Sequence, residues 1–196
     1  MPFPINILIQ GHSFTRRLQR WCVENQQINM NLDSNRLQIF WHGISGGNVI
    51  DTCHQKSIWP ETYLASALNI QITLLDIGSN DLCDPAVEPS KLVQSMTELA
   101  YKLLEYGCRI IVFSEILPRK NAENFNCKVS QTNALLQEVC SGDPSLIFWS
   151  HSRNNYNRRF LAEYVAQDGI HVDSVRGMPR YYSSVRGALL FAENHL

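Results

Sequence analysis

The sequence lacks any long hydrophobic run. No apolar stretch approaches the roughly 20 residues that a membrane-spanning helix needs, so no transmembrane segment is predicted. A secretory signal has a basic stretch ahead of its apolar one, and the first residues here, MPFPINILIQGHS, have none. They predict instead a first β-strand that leads into a polar turn.

The cysteines lack any paired spacing. Six are present, and no two form a C-x-x-C motif of the kind found in many zinc sites. Scattered cysteines favour reduced thiols in a cytoplasmic protein over disulfides, which persist in oxidising compartments. Neither a metal nor another cofactor is predicted. The six are Cys22, Cys53, Cys83, Cys108, Cys127 and Cys140.

An excess of charge of either sign is also missing. The 196 residues include 17 Lys and Arg and 18 Asp and Glu, for a formal net charge of -1. This balance gives no global attraction to nucleic acid or to an anionic membrane. With 44% hydrophobic and 18% charged residues, the composition is typical of a folded globular protein. The length fits one domain that spans residues 1–196.

The chain does contain a regular alternation of short apolar runs and longer amphipathic stretches. This alternation predicts an α/β fold with a parallel five-stranded sheet covered on both faces. A functional crevice is then expected beyond the carboxyl ends of the strands. Ser90 is the predicted cap of the clearest helix. The strand segments are 5–11, 36–47, 70–81, 108–118 and 145–152, and the helices are 13–25, 89–107, 127–142 and the tail after Pro179.

Ser13 follows the first apolar run in the stretch IQGHSF. At a strand-to-helix junction its oxygen would lie at the positive end of the helix dipole, where negative charge on a reacting oxygen is favoured. Serine is also among the best helix caps, and on this stretch alone the cap is favoured over the nucleophile. His12 is not predicted to be the base for Ser13, because neighbouring side chains at a strand end point to opposite sides.

A more distant histidine is found in QDGIHVD near the end of the chain. Asp168 and His171 are three residues apart across a turn, close enough for the carboxylate to hold an imidazole N–H. Such a contact fixes the tautomer and stabilises the imidazolium, as the third member of a serine triad does. Asp173 is a competing carboxylate, and an ordinary surface turn is the simpler alternative.

Two further motifs follow predicted strands. In DIGSND, the Asn80 amide could donate to a developing oxyanion, with Asp81 beside it. In GISGG, the backbone N–H of Gly46 could approach a substrate oxygen closely. Both stretches are equally consistent with simple turns, since Asn, Asp and Gly all favour them.

Taken in order, these blocks resemble the SGNH (GDSL-type) hydrolase family: serine after the first strand, glycine after the second, G-x-N-D after the third and D-x-x-H near the end. The resemblance spans Gly11 to His171. It implies a flavodoxin-like three-layer α/β/α sandwich, with a triad of nucleophile, base and orienting carboxylate and an oxyanion hole of two N–H groups and one amide. The implied triad is Ser13, His171 and Asp168, and the implied oxyanion donors are Ser13, Gly46 and Asn80.

One position departs from the family pattern. The first block of the family is typically Gly-Asp-Ser, whereas this chain has Gly-His-Ser, with His12 in the place of the aspartate. That aspartate is not a triad member, so the exchange predicts an altered rate or pH optimum without loss of the chemistry. The forms GHSF and GSNDLCD also resemble SGNH domains of invertebrate and mobile-element-related proteins.

The resemblance implies a serine esterase that works through an acyl-enzyme, with a small-molecule ester as substrate. The segment RKNAENFNC and the turn after the second strand are polar and short, which favours short acyl chains over long-chain lipids. His12 and Asp81 are predicted to contact substrate or to support the triad.

A binding module on the same fold is the alternative, with RNA or a protein as partner. Its basis is two basic clusters with interleaved tyrosines, an arrangement that backbone binding and base stacking would use. Solvated helix faces are the simpler explanation of the same residues. The residues concerned are Arg16, Arg17 and Arg20, then Arg153, Arg158, Arg159, Arg176, Arg180 and Arg186, with Tyr156, Tyr181 and Tyr182.

Overall fold

A computed structural model describes residues 3–50, 57–151 and 164–196. Its centre is a sheet of five parallel strands, each rich in the branched apolar residues that favour buried parallel sheets. All five predicted strands are present. Most are shorter than the segments assigned from the sequence, because the polar ends of those segments form the turns. The strands are β1 (Ile5–Gly11), β2 (Leu37–Gly43), β3 (Ile70–Asp76), β4 (Ile110–Ser114) and β5 (Leu146–Trp149).

The order of strands across the sheet is β2-β1-β3-β4-β5. The chain therefore leaves β1 toward one edge and later returns to its other side as β3. In parallel α/β sheets this reversal opens a crevice at the carboxyl ends of the strands, where ligands bind. The parallel α/β prediction is confirmed, and the turn after β1 lies at this crevice.

Helices cover both faces of the sheet. On one face α1 and the last helix pack on Ile7, Ile72 and Val112, and on the other face α3 and α4 pack on Leu8 and Phe113. This is the three-layer α/β/α sandwich that the resemblance implies. The helices are α1 (Ser13–Glu24), α2 (Leu64–Ala67), α3 (Pro89–Glu105), α4 (Glu123–Ser141) and α5 (Met178–Glu193), with short 3-10 turns at Trp59–Tyr63 and Asp81–Cys83.

The helix boundaries correct two details of the prediction. Helix α3 begins at Pro89 and its cap is Glu88, so Ser90 lies inside the first turn and is not the cap. Proline suits that first position because its missing N–H has no helical acceptor. Helix α4 begins at Glu123 and not at Cys127, so the polar segment after β4 is a loop only as far as Ala122.

The described part of the chain contains no helix that is both long and apolar enough to cross a membrane. Five cysteines within it are free thiols, and the sixth, Cys53, lies outside the described residues. The five are Cys22, Cys83, Cys108, Cys127 and Cys140.

Candidate active site

The turn from β1 into α1 brings Ser13 to the crevice. Gly11 makes this turn possible, since a Cβ at that position would lie 2.3 Å from both the carbonyl oxygen of Asp76 and the hydroxyl of Thr15. No side chain fits there. The strand therefore runs tight against β3 before the chain turns into the helix.

Ser13 is the first residue of α1, and His12 is its cap. The Nδ1 atom of His12 accepts a hydrogen bond from the Phe14 N–H at 3.4 Å. The cap interpretation of Ser13 is therefore wrong. Its hydroxyl is free for another partner, while its backbone N–H lies among the unsatisfied donors of the helix N-terminus.

That partner is His171, which lies 158 residues further along the chain. The Oγ atom of Ser13 lies 3.0 Å from Nε2 of His171. The other ring nitrogen, Nδ1, lies 2.7 Å from Oδ2 of Asp168. The Phe14 ring packs on the imidazole with 5.5 Å between centroids. The three polar side chains thus form one continuous hydrogen-bonded series, with the histidine ring buttressed from the side.

The tight turn that holds the histidine is closed by Asp168. Its Oδ1 atom accepts the backbone N–H groups of Ile170 and His171, both at 2.9 Å. Burial works against ionisation of this carboxyl, but these N–H groups and the imidazole outweigh it and hold the pKa of Asp168 well below its usual range. Asp168 is therefore ionised at neutral pH.

Asp173, the competing carboxylate, has a different role. Its Oδ1 atom accepts the N–H groups of Val175 at 3.0 Å and Arg176 at 2.7 Å. It closes the turn that precedes α5. Of the two carboxylates, Asp168 is the one bonded to the His171 ring.

His12 is buried behind the serine and lines a small cavity with Asp76, Ser79 and Leu117. Burial lowers the pKa of His12, and the nearby charge of Asp76 offsets only part of that effect. The ring is therefore neutral at physiological pH. Because it accepts the Phe14 N–H through Nδ1, its proton is on Nε2.

The loops after β2 and β3 contact each other, and Ser45 of the first loop lines a cleft together with Ser13. Asn80 donates from Nδ2 to the carbonyl oxygen of Gly47 at 3.0 Å, which leaves the second amide hydrogen for another acceptor. Gly46 has φ of +77°, a left-handed conformation that favours glycine. A Cβ there would meet nothing within 4 Å, so the backbone conformation and not space selects the glycine.

Asp81 fastens these two loops together. Its Oδ1 atom accepts the N–H groups of Val49 at 2.9 Å and Ile50 at 2.8 Å. The carboxyl is buried, and burial raises its pKa although the two N–H groups act in the opposite sense. Asp81 therefore supports the loop that contains Gly46 and does not line the cleft at the serine.

Several polar residues at the site were not identified from the sequence. Asp76 ends β3, and its Oδ2 atom accepts the hydroxyls of Thr15 at 3.1 Å and Tyr181 at 2.9 Å, which ties α1 and α5 to the sheet. Arg119 donates from Nη2 to both Ser79 oxygens at 3.1 Å and so holds the residue before Asn80. For Asp76 the sequence offers one signal, an aspartate at the end of the apolar run LLD. The partners of Arg119 depend on tertiary structure and have no local pattern.

A cleft of about 580 Å³ opens from the serine. Ser13 and His171 line this cleft, together with one face of α1 and Ser45, the residue before Gly46. Within residues 3–50, 57–151 and 164–196, no group of three His, Cys, Asp or Glu side chains is placed to hold a metal ion. The cleft is lined by Ser13, Arg16, Arg17, Arg20, Trp21, Glu24, Ser45, His171, Val172, Ser174 and Met178.

Comparison with solved structures identifies the fold. A carbohydrate esterase of family 3 from Talaromyces cellulolyticus superposes with a TM-score of 0.69 at 12% identity, over 98% of this chain and 99% of that one. A GDSL-like lipase from Bacteroides thetaiotaomicron gives 0.69 at 14% identity, over 98% and 93%. This chain has the SGNH hydrolase fold. A member of the lipolytic G-D-S-L family from Veillonella parvula gives 0.70 at 11% identity, over 93% and 97%.

The resemblance drawn from the four sequence blocks is thereby confirmed for the fold. No protein-family model matches the sequence, and no curated protein sequence matches it significantly. At 11–14% identity the likeness to SGNH structures is one of architecture. The chemistry has to be argued from the residues of this chain.

Proposed function

We propose that the protein is a serine esterase in which Ser13 is the nucleophile, His171 the general base and Asp168 its orienting carboxylate. The unbroken contact from the Ser13 hydroxyl through His171 to Asp168 is the observation that supports this most directly. A nucleophile, a base within hydrogen-bond reach and a third group that orients the base are the parts that covalent acyl transfer needs.

In the proposed mechanism His171 accepts the proton of Ser13 as the serine oxygen bonds to the carbonyl carbon of an ester. The negative charge moves to the carbonyl oxygen, and the Ser13 and Gly46 N–H groups and the Asn80 amide stabilise it there. His171 then gives its proton to the alcohol as the carbon–oxygen bond breaks. Water repeats the sequence on the acyl-serine, with His171 again as base, and releases the acid.

Short acyl groups are the proposed substrates. The cleft beside the serine is lined mainly by charged and polar side chains, with Trp21, Val172 and Met178 as its apolar members. A long acyl chain would need a continuous apolar channel, because each buried methylene gains roughly 0.8 kcal/mol only when it leaves water. An acetyl group needs no such channel.

Nucleic-acid binding has weaker support. Tyr181 and Tyr182 are buried, with relative exposures of 4% and 9%, and so do not present the exposed rings that base stacking requires. Arg186 is engaged with the Met30 carbonyl oxygen at 3.0 Å, and Arg180 lies over the Tyr164 ring at 4.7 Å. Other members of this cluster, Arg153, Arg158, Arg159 and Tyr156, lie outside the described residues.

The proposal is tested with a fluorophosphonate probe and p-nitrophenyl acetate. The wild-type protein should gain one covalent adduct on Ser13 and hydrolyse the ester. Ser13→Ala should take no adduct and lose at least about 10³-fold in kcat, since removal of a triad nucleophile disables both chemical steps. An unlabelled wild-type protein, or a Ser13→Ala variant that turns over at the wild-type rate, would overturn the proposal.

A further inference from the structure

The cleft beside Ser13 has an arginine-rich wall. Arg16, Arg17 and Arg20 all line it. They follow Ser13 at spacings of three, four and seven residues, which places them on the same face of α1 as the serine. The helix therefore displays the proposed nucleophile and three guanidinium groups to one space.

These arginines have no ionic partner among the residues that the structure describes. The ion pairs found there join Arg36 to Glu193, Lys102 to Glu105 and His171 to Asp168. Arg16 donates to a neutral oxygen, the Ser45 hydroxyl, at 3.2 Å. Glu24 lines the cleft as well, one turn beyond Arg20. The wall keeps an excess of positive charge.

The stability of α1 does not explain this placement. The first turn of the helix contains no acidic residue, although an acid there would interact favourably with the dipole. Arg16 and Arg20 are four residues apart and Arg17 and Arg20 three, and like charges at these spacings disfavour a helix. Local rules of this kind are broken most often where a residue serves a function.

We propose that the substrate is an ester that also bears an anionic group, a carboxylate, phosphate or sulfate, which Arg17 and Arg20 bind. This inference rests on the proposed esterase function and specifies its substrate class. At a rise of about 1.5 Å per residue, the backbone of these arginines lies roughly 6 to 10 Å along the helix from Ser13. Because the arginine side chains are long and flexible, an ester that carries its anion one ring away from the carbonyl is within their reach.

Arginine offers more to this role than a diffuse positive charge does. Its planar fork binds carboxylate, phosphate and sulfate oxygens in pairs, and so fixes the orientation of the anion as well as its position. An anion held at a fixed distance from Ser13 would present the ester carbonyl to the hydroxyl in a constant register. Recognition and orientation thus come from one helix.

The test compares two probes, 4-acetoxybenzoate and its neutral methyl ester. The readout is the ratio of their kcat/KM values, anionic over neutral, so that differences in intrinsic reactivity cancel between variants. The ratio should fall at least tenfold in the double variant Arg17→Gln, Arg20→Gln. Lys91→Gln, on a helix at the opposite face of the sheet, removes one positive charge elsewhere and should leave the ratio unchanged. Equal ratios in the wild type and the double-arginine variant would overturn the proposal.

A binding measurement separates this proposal from the esterase itself. Ser13→Ala should bind phenyl phosphate or benzoate in calorimetry, and the added double-arginine change should abolish that binding. If neither ester is hydrolysed but the anions bind in this way, the esterase proposal fails and the anion site stands. If the anions do not bind, or if a single-stranded RNA 12-mer binds through these arginines while the ester ratio is unaffected by their loss, the anionic-ester proposal is overturned.

Discussion

His12 gives Ser13 a neutral neighbour where a carboxylate is typical of the fold family. A carboxylate at this capping position would place a negative charge at the N-terminus of α1, close to where the proposed mechanism forms an oxyanion. The buried imidazole caps the helix through Nδ1 without that charge. The positive end of the helix dipole therefore remains available to the reacting oxygen. For the proposed mechanism, the exchange favours the transition state electrostatically, and the contacts of the proposed triad are made without that carboxylate.

Asn80 is the proposed oxyanion donor whose removal is the most informative. In Asn80→Ala, kcat for p-nitrophenyl acetate should fall by about 10²–10³, the usual cost of losing one such donor. The variant also loses the bond to Gly47, so the melting temperature should fall by only a few degrees. Steady-state kinetics and thermal unfolding check both values.

The matched control is Asn35→Ala, in an exposed turn where Asn35 bonds to Asp33. It should keep the wild-type kcat. An Asn80→Ala variant with undiminished kcat would remove Asn80 from the oxyanion hole.

At the scale of elements, the site depends on how the loops after β2 and β3 are joined. Asn80 bonds to the carbonyl oxygen of Gly47, and Asp81 accepts the N–H groups of Val49 and Ile50. The bonded residues of the two loops are 31 to 33 positions apart in the chain. Arg119, from the loop after β4, adds a third loop through Ser79. The proposed oxyanion donors are thus positioned by neighbouring loops and not by one rigid strand.

Asp81→Ala removes the acceptor of two buried N–H groups. The free energy of unfolding should fall by about 2 kcal/mol, because each unsatisfied donor costs 1–3 kcal/mol and the lost carboxyl was itself costly to bury. Turnover should fall as well, since the Gly46 loop loses its attachment. Urea unfolding and ester kinetics measure the two effects.

Asp81→Asn serves as the conservative comparison, because an amide oxygen can still accept both N–H groups. It should recover most of the stability and of kcat. Asp84→Ala, at an exposed turn, should change neither by a measurable amount. If Asp81→Ala were as stable and active as wild type, the bonds to Val49 and Ile50 would have no supporting role.

Local patterns in the sequence predict the fold and the residues of the candidate triad. They do not predict the long-range hydrogen bonds that hold those residues in place. The period of apolar residues locates β1, β3 and α3, and turn-forming glycines mark their ends. The cap of α1 is mispredicted because a histidine that accepts an N–H is not a usual cap residue. The bonds from Asp76 to Thr15 and Tyr181 join positions 61 and 105 residues apart. No single-sequence pattern contains such pairings, which arise only when α1 and α5 pack on the same face.

At the scale of the whole molecule, two buried histidines link stability to pH. Burial lowers the pKa of both His12 and His151 from the ordinary 6.5. His151 bonds to the hydroxyls of Ser114 at 2.9 Å and Ser184 at 2.8 Å, between β4 and α5. Below pH 6.5 the two histidines bind protons in the unfolded chain, whereas burial resists their protonation in the folded chain. The stability that these histidines contribute is therefore complete above pH 6.5 and is lost as the pH falls toward their lowered pKa values in the folded protein.

The free energy of unfolding should therefore fall as the pH is lowered from 7.5 to 5.5, by at most roughly 1.4 kcal/mol per histidine per pH unit. Urea unfolding across this range measures the slope. His12→Asn should reduce the slope, and His195→Asn, at an exposed position, is the matched histidine control. The raised pKa of Asp81 acts with the opposite sign and is common to all three proteins. A slope unchanged by His12→Asn would contradict a neutral buried ring.

The contact between Ser13 and His171 spans 158 positions, and this has a consequence for the timing of activity. During synthesis β1 and Ser13 emerge before the turn with the histidine, which follows all five strands. If Ser13 and His171 act as proposed, a partly made chain has the serine without its base and cannot attack esters. The proposed activity would then begin only when folding is complete. Hydrolysis of a simple ester would follow the docking of α5 in a refolding experiment more directly than any signal from helix content.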